Sequence, residues 1–348
     1  MKAWVLHSAD DLRYETVKKP VPGEQEVLVR VKAAGICGSD LPRICRTGAH
    51  RHPLIPGHEF SGTVTETGKG VNTVWQGQRV GVFPLIPCGA CMPCQKKYYE
   101  MCRDYDYIGS RRDGAFAEYV AVPVWNLLPL PEKVTFEEAA MLEPMSVAVH
   151  AMRRAGPSAA DQVAVCGLGT IGLFLTMFLL EAGIRNLLVI GNKDFQKETV
   201  LRLGLPENVY CDSRRQDVSK WVMEHTGGMG ADVFFECTGR NETYALAAQN
   251  TAPLGTVLLV GNPFSDMKLS RNTYWKILRN QLTVAGTWNS TFLHSPEDDW
   301  HYVLQRLTEK RIAPSELITH RLPLPDLVHG LQIMRNKTED YVKVMSVG

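Results

Sequence analysis

The sequence lacks an excess of charge, an uninterrupted long apolar run and any internal repeat. Its 38 basic side chains nearly balance 37 acidic ones, which gives no electrostatic reason to expect nucleic acid or an anionic membrane as a partner. The most apolar run, residues 163–180, is interrupted by Gly167, Gly169 and Gly172, and this pattern argues against a membrane span. The first residues lack the apolar core of a secretion signal, so we expect a cytoplasmic protein.

The bulk composition is that of a globular chain. A length of 348 residues predicts one large domain or two ordinary ones, and 45% hydrophobic with 22% charged residues is typical of such proteins. Nine cysteines in a reducing compartment favour metal binding over disulfides.

Four of the cysteines are clustered, at Cys88, Cys91, Cys94 and Cys102, with the spacing C-x2-C-x2-C-x7-C. Four thiolates can surround one tetrahedral zinc at about 2.3 Å each. Iron–sulfur proteins also use C-x2-C-x2-C runs, but their fourth cysteine usually follows about three residues later and precedes a proline. Cys102 is followed by Arg103. The cluster therefore predicts a structural zinc with no position left open for a substrate.

A second group of possible ligands consists of Cys37, His58 and Glu59. Cys37 follows residues 26–35, which alternate like a strand, and the other two lie in a glycine-rich turn. One thiolate, one imidazole and one carboxylate, completed by water, make a catalytic zinc site. Each residue also has an ordinary explanation, since a lone cysteine is usually a small buried hydrophobic residue.

The order of these motifs resembles that of the zinc-dependent medium-chain dehydrogenases/reductases. The resemblance is carried by G-I-C-G-S-D, G-H-E-F-S-G, the four-cysteine segment and D-G-A-F-A-E-Y, and the order and separation of the motifs match over the whole chain. It implies an α/β protein with a GroES-like β-rich catalytic domain and a Rossmann domain with a doubly wound parallel sheet. The catalytic domain would comprise residues 1–150 and 289–348, with the zinc lobe at about 88–102, and the Rossmann domain residues 151–288. Such families place the active site between the domains.

Glu143, in the stretch LEPMSVAVHA, narrows the resemblance to one branch. Alcohol dehydrogenases of this superfamily carry a third cysteine ligand there, whereas a glutamate resembles the polyol, sorbitol dehydrogenase-like branch. A carboxylate in place of a thiolate makes the ion a harder Lewis acid. The resemblance implies that Cys37, His58 and Glu59 bind the catalytic zinc, with Glu143 as a ligand or as the partner of its water. The alternative is that Glu143 is only a carboxylate at a helix N-terminus.

The implied reaction is the reversible oxidation of a secondary alcohol of a polyol or polyol phosphate to a ketose, with a nicotinamide cofactor as hydride acceptor. By resemblance, Ser39 begins a proton relay away from the substrate, and His50 is the candidate for its exit because G-A-H-R-H-P follows in the same loop. His50 also fits an ordinary surface loop. A phosphorylated substrate would need cationic donors, and the tentative candidates are Arg43, Arg111 and Arg279.

Other functions share the same motifs. An unphosphorylated polyol or threonine-type dehydrogenase, or an NADPH-linked ketose reductase, would use the same zinc and nucleotide residues. A non-enzymatic zinc protein would require intact catalytic ligands to be idle. In this family the four-cysteine lobe and the segment 282–288 often form subunit contacts, so we expect a homodimer or homotetramer.

Residues 161–183 read as strand, glycine turn and helix, the context in which G-x-G-x-x-G binds a dinucleotide. The first glycine allows a tight turn, the second lets a pyrophosphate approach the backbone, and the third lets the helix pack on the strand. The turn consists of Gly167, Leu168, Gly169, Thr170, Ile171 and Gly172.

The end of the following strand bears on the choice between NAD and NADP. An NAD-binding fold carries an acid there for the ribose 2′-hydroxyl, but this chain has Gly191, Asn192 and Lys193. Without the acid a 2′-phosphate is not repelled, and Lys193 can pair with it. G-N-K also resembles the G-S-R arrangement of NADP-dependent members of the superfamily. We therefore predict a preference for NADP; the alternative is that Asp194 moves into place and NAD binds.

Overall fold

In the computed structural model, which describes residues 1–348, the first part of the chain is mostly β-strand with short helices. The strands are β1 (Lys2–Ser8), β2 (Asp11–Thr16), β3 (Glu26–Gly35), β4 (Glu59–Thr67), β5 (Arg79–Val82), β6 (Leu85–Ile86), β7 (Asp106–Tyr107), β8 (Tyr119–Pro123) and β9 (Leu127–Pro129). The helices are α1 (Asp40–Pro42), α2 (Met92–Gln95), α3 (Phe136–Ala140) and α4 (Leu142–Ala155).

Strands and helices alternate in the middle of the chain, and the chain ends with a short mixed segment. The middle contains β10 (Val163–Cys166), α5 (Thr170–Glu181), β11 (Leu187–Gly191), α6 (Asp194–Arg202), β12 (Tyr210–Asp212), α7 (Val218–His225), β13 (Ala231–Glu236), α8 (Asn241–Gln249), β14 (Thr251–Leu259), α9 (Arg271–Arg279) and β15 (Thr283–Gly286). The final segment contains α10 (Asp299–Thr308), β16 (Ile318–Pro323), α11 (Leu327–Asn336) and β17 (Lys343–Val347).

The chain divides into two units. One comprises Met1–Pro144 and Thr291–Gly348, and the other comprises Met145–Ser290. The chain therefore leaves the first unit and returns to it with its last residues. The domain boundaries expected near residues 150 and 289 remain predictions of the sequence.

The main sheet of the first unit has seven strands in the order β16-β17-β3-β4-β5-β9, with β8 also paired to β3. In β3 residues 27–29 and 33–35 are buried, in two runs rather than in alternation, and its antiparallel pairing with β4 sets Gly35 opposite Glu59. Strand β17 pairs with the same end of β3, with Met345 opposite Gly35. The register therefore brings three separate stretches of chain together just before Cys37.

An apolar core holds this sheet in place. Phe60, Val64 and Phe116 are at most 1% exposed and belong to one cluster of buried side chains. Burying a side chain of this size contributes about 1.5–3 kcal/mol. Since Phe60 directly follows Glu59, the packing of β4 also fixes the backbone position of Glu59.

The second unit is a six-stranded parallel sheet in the order β12-β11-β10-β13-β14-β15. All four residues of β10 and all five of β11 are buried, as expected for parallel strands covered on both faces. Helices connect the consecutive strands, and the strand order reverses between β10 and β13. In doubly wound sheets ligands bind at the carboxyl ends of the strands beside such a reversal.

The apolar run at residues 163–180 is divided between β10, the glycine turn and α5. Helix α5 has 12 residues, and no helix of the structure is both long and apolar enough to cross a membrane.

Candidate active site and metal centres

The four clustered cysteines converge on one point. Their Sγ atoms all lie within 4.8 Å of one another, with 3.5 Å between Cys91 and Cys94 and 3.8 Å between Cys91 and Cys102. A tetrahedron with metal–sulfur distances of about 2.3 Å has edges of about 3.8 Å. The sulfur geometry therefore fits a zinc ion, and none of the nine cysteines forms a disulfide.

The backbone around the lobe favours thiolates. N–H groups of Arg103 and Cys94 point at the Cys91 sulfur and lower the pKa of that thiol to about 6. Burial, together with the neighbouring sulfurs, raises the pKa of Cys94 to about 12. A cation at the centre would remove this conflict, because it stabilises every thiolate at once.

The second group lies where β3 ends and β4 begins. Because Gly35 faces Glu59 across the ladder, Cys37 and His58 are brought to the same end of the sheet. The ligand atoms of Cys37, His58 and Glu59 lie within 4.8 Å of one another; the His58 and Glu59 side chains are buried, and Cys37 is half-buried. One sulfur, one ring nitrogen and one carboxylate oxygen are a donor set that fits zinc.

Asp40 orients two members of this group. Its fully buried carboxylate accepts hydrogen bonds from the Cys37 N–H at 3.0 Å and from Arg43 Nη1 at 2.7 Å. His58 Nδ1 lies 3.4 Å from Asp40 Oδ1, which leaves Nε2 for a metal. Burial lowers the pKa of His58, but the charge of Asp40 outweighs it and holds that pKa well above its usual value.

Glu59 is paired with a buried lysine from the last strand. Lys343 Nζ donates to Glu59 Oε2 and, at 3.1 Å, to the Ile36 carbonyl oxygen. A Cβ at Gly35 would lie only 2.6 Å from Lys343 Cε, so this glycine leaves the space that the pair occupies. Each side chain of this buried pair is the partner of the other, and the removal of one would leave the other unpaired.

Glu143 lies beside this group without belonging to it. Tyr107 donates its hydroxyl hydrogen to Glu143 Oε1 at 3.2 Å, and the Tyr107 ring packs edge-on against His58 with 5.8 Å between centroids. Burial raises the pKa of Glu143 to about 7; the charge of Glu59 acts in the same direction, while His58 and Lys343 oppose it. Tyr107 thus connects the imidazole with the second carboxylate.

The two residues expected in the proton relay differ in position. Ser39 is exposed and donates its hydroxyl hydrogen to Cys37 Sγ at 3.3 Å, so it lies at the edge of the three-ligand group. His50 is exposed on the loop that follows and makes no hydrogen bond or ion pair with Ser39 or the ligands. The structure brings Ser39 to the group but not His50.

The three candidate substrate arginines have different surroundings. Arg43 donates a hydrogen bond to Asp40, the carboxylate that lies beside His58. Arg279 is exposed at the end of α9 and stacks on Trp275 at 4.6 Å. Arg111 is half-buried, stacks on Tyr105 at 4.5 Å and has a buried Nε without a hydrogen-bond partner.

The glycine turn has the shape that a dinucleotide requires. Gly167 has φ +99°, and a Cβ on Gly172 would lie 3.0 Å from the Gly167 carbonyl carbon. A Cβ on Gly169 would meet nothing within 4 Å, and α5 begins at the next residue. The open side of Gly169 at a helix N-terminus fits a pyrophosphate group.

The end of β11 is closely packed. A Cβ at Gly191 would lie 2.7 Å from the Tyr210 hydroxyl and 2.8 Å from Gln196 Oε1. Gln196 accepts from the Asn192 N–H at 2.9 Å and donates to the Leu168 carbonyl at 3.0 Å, while the Tyr210 hydroxyl donates to the Lys193 carbonyl. An acidic side chain at position 191 therefore has no room in this packing.

Comparison with known proteins identifies the family. Residues 23–132 match the alcohol dehydrogenase GroES-like domain, and residues 170–309 match the zinc-binding dehydrogenase domain. Galactitol 1-phosphate 5-dehydrogenase of Escherichia coli strain K12 is 34% identical over 307 residues, which cover 88% of each protein. The chain belongs to the zinc-dependent medium-chain dehydrogenases/reductases.

Solved structures agree with this family. The crystal structure of galactitol-1-phosphate dehydrogenase from Escherichia coli superposes with a TM-score of 0.91 and 32% identity over 100% of both chains. A zinc-binding dehydrogenase from Sinorhizobium meliloti bound to NADP gives a TM-score of 0.90 with 27% identity, over 100% of this chain and 99% of that one. The expected fold class and the expected enzyme class, an alcohol dehydrogenase-type oxidoreductase, are confirmed.

Four residues around the sites of this medium-chain dehydrogenase were not identified from the sequence: Asp40, Tyr107, Gln196 and Lys343. Asp40 and Tyr107 lie within short motifs, G-S-D and Y-I-G-S, that indicated the family but not a role for these side chains. Lys343 is 284 positions from Glu59, and no local pattern connects them.

Proposed function

We propose that this medium-chain dehydrogenase oxidises a secondary hydroxyl of a polyol phosphate, with galactitol 1-phosphate as the first candidate and tagatose 6-phosphate as its product. The likeness to galactitol 1-phosphate 5-dehydrogenase of Escherichia coli supports the substrate class. One observation supports a phosphorylated substrate: the guanidinium of Arg111 has no acidic partner.

Arg111 lines a cavity of about 640 Å³ in the first unit, together with Arg51 and Arg112. Arg51 is paired with Asp113 at 3.2 Å and Arg112 with Glu26 at 2.6 Å, whereas no carboxylate lies within ion-pair distance of Arg111. A buried charged donor without an acceptor costs more than about 1–3 kcal/mol. A phosphate oxygen would satisfy it, and arginine matches phosphate geometrically.

Arg111 is also close in the chain to the expected catalytic group. Its N–H donates to the Tyr107 carbonyl oxygen at 2.9 Å, and the Tyr107 hydroxyl holds Glu143. Tyr107 and Arg111 therefore belong to one tight turn, which we propose to serve both the reacting end and the phosphate end of the substrate, although none of the candidate zinc ligands lines the cavity at Arg111.

The metal ligands are part of the same proposal. Cys37, His58 and Glu59 would hold the catalytic zinc, with Glu143 as a further ligand or as the partner of its water, and Cys88, Cys91, Cys94 and Cys102 would hold the structural zinc. When bound, zinc would supply Lewis acidity toward the alcohol oxygen, and the nicotinamide cofactor would supply the hydride acceptor. Ser39 Oγ would take the proton that leaves the substrate; its onward passage through His50 stays a prediction, because His50 makes no hydrogen bond with Ser39. Asp40 would hold the His58 ring, and Tyr107 would hold the Glu143 carboxylate.

For the cofactor we propose NADP over NAD, bound by the turn at residues 167–172 and by residues 191–193. The packing around Gly191 supports this choice, because an acid for the 2′-hydroxyl has no room there. We further propose that the enzyme works in the cytoplasm.

For the assembly we propose a homodimer through the edge of the second sheet, or a homotetramer that contains this dimer. Strand β15 is paired only with β14, and large apolar side chains are exposed on it and around it. These are Tyr274, Trp275, Leu278, Val284 and Trp288. Exposed apolar side chains beside an open strand edge are typical of a subunit contact.

The first experiment follows NADPH absorbance with zinc-loaded protein and either galactitol 1-phosphate or galactitol. Turnover with the phosphate alone supports the proposal. Turnover with galactitol alone, or equally with both, would assign the enzyme to the free-polyol dehydrogenases. Faster turnover in the reverse direction, with ketose phosphate and NADPH, would favour the ketose reductase alternative.

A further inference from the structure

The carboxyl ends of β11 and β12 lie side by side. Gly191 faces Asp212 in the parallel register, and the Ser213 N–H donates to the Gly191 carbonyl at 2.9 Å. The loop after β12 therefore adjoins the turn from β11 to α6, where the dinucleotide fold places the adenosine ribose. Gly191, Asn192 and Lys193 lie only on the β11 side of this place.

Arg214, in the loop after β12, is held by two carboxylates. Its Nε donates to Asp212 Oδ1 at 2.9 Å, and its Nη2 lies 2.6 Å from Asp212 Oδ2 and 2.5 Å from Asp194 Oδ1. Its Nη1 makes no hydrogen bond within the protein, and the side chain is 41% exposed. Asp212 thus fixes the plane of the guanidinium, and the two N–H donors of Nη1 point away from Asp212.

Asp194 is the only acid in the turn from β11 to α6, and it alone could replace the missing carboxylate at position 191. Its Oδ1 is bound by Arg214 and also lies 3.7 Å from Arg215 Nη2. As the first residue of α6 it is further stabilised by the helix N-terminus. One oxygen of the carboxylate is therefore engaged with arginine, while the Asp194 side chain is 70% exposed.

We propose that Arg214 determines the cofactor preference of this enzyme. It holds Asp194 away from the ribose 2′ position, and its Nη1 donates to a 2′-phosphate. The proposal rests on the NADP-linked function proposed above. It assigns the selectivity to the loop after β12, in addition to Lys193 on the β11 side.

The test uses calorimetry of the whole metal-loaded protein with two fragments of the cofactors, adenosine 2′,5′-bisphosphate and adenosine 5′-monophosphate. We expect the unaltered protein to bind the bisphosphate more tightly. Arg214→Gln should reduce the ratio of the two affinities about ten- to a hundredfold, since a charge-assisted bond is lost and Asp194 is released. The matched control, Arg215→Gln, should change the ratio less than about threefold.

A second variant separates a binding role from a merely structural one. In Asp194→Asn/Arg214→Gln the released repulsive charge is absent, so bisphosphate affinity should recover in part relative to Arg214→Gln alone. The inference would be overturned if Arg214→Gln left the ratio of the two affinities unchanged and the double variant did not differ from it. If instead the unaltered protein binds both fragments equally, the proposed NADP preference itself is wrong. Oxidation of galactitol 1-phosphate is measured separately and does not enter this result.

Discussion

Lys343 and Glu59 face each other inside the protein, at the junction of β3, β4 and β17. Lys343 and Glu59 are each 1% exposed, so water cannot replace the partner of either group. Removing one member of such a pair leaves an uncompensated buried charge, which is worse than the absence of both.

We predict that Lys343→Met lowers the free energy of unfolding of the metal-free protein by about 3–5 kcal/mol, because Glu59 loses its cation. Urea denaturation measures this value. The double variant Lys343→Met/Glu59→Gln should recover most of the loss. The control Lys19→Met breaks the exposed pair with Glu66 and should cost at most about 1 kcal/mol. Equal losses of unfolding free energy in Lys343→Met and Lys19→Met would contradict the prediction.

Arg111 allows a residue-scale test of the substrate. We predict that Arg111→Gln lowers kcat/KM for galactitol 1-phosphate about ten- to a hundredfold and leaves any activity with galactitol nearly unchanged, because a charge-assisted bond to phosphate is lost. Steady-state kinetics with both substrates measure the split. The matched control is Arg51→Gln, since Arg51 lines the same cavity but is already paired with Asp113. A similar loss with both substrates would show a structural role only.

At the scale of elements, the four-cysteine lobe is a short loop whose shape depends on its sulfurs. It contains one turn of α-helix, α2, and a 3₁₀ turn at Tyr99–Met101, and Cys94 and Cys102 are its buried cysteines. We expect so little regular structure to need a bound cation to hold four thiols together.

We predict that Cys94→Ser lowers the metal content from two zinc ions per chain to one, because the lobe loses a buried thiolate. Inductively coupled plasma mass spectrometry of purified protein measures the content, and limited proteolysis should cut within residues 88–102. Cys45→Ser, which changes a cysteine outside both groups, should retain both ions. Retention of two ions in Cys94→Ser would show that the lobe is not a zinc site.

At the scale of the whole molecule, the open edge of β15 is the surface that we expect to contact a second copy of the chain. A strand edge with exposed apolar side chains pairs readily with another strand. We predict a dimer for the unaltered chain and a monomer for Val284→Lys, because a charge at the edge opposes pairing of two copies. Light scattering after size-exclusion chromatography measures the mass. Val74→Lys, at an exposed apolar position of the first unit, should leave the dimer intact. A monomeric unaltered chain would contradict the assembly proposal.

Most of the fold class could be read from the sequence because the relevant signals are local. Residues 163–183 contain a strand, a tight turn and a helix within one short stretch, and the structure has β10, Gly167 with positive φ and α5 there. The family itself was recognisable from motifs of six or seven residues each, and the domain matches confirm it. The four cysteines needed only spacing to suggest a common metal.

What the sequence by itself determined is therefore the family, the two kinds of fold and the candidate ligands, since each depends on residues close together in the chain. Tertiary structure decided how those residues are charged and held. Lys343 reaches Glu59 only through the pairing of β17 with β3, Tyr107 of β7 reaches Glu143 of α4, and Arg214 engages Asp194 only because β12 lies beside β11. Strand register brings together residues that are distant in sequence, and it is set by the packing of whole sheets rather than by any local pattern.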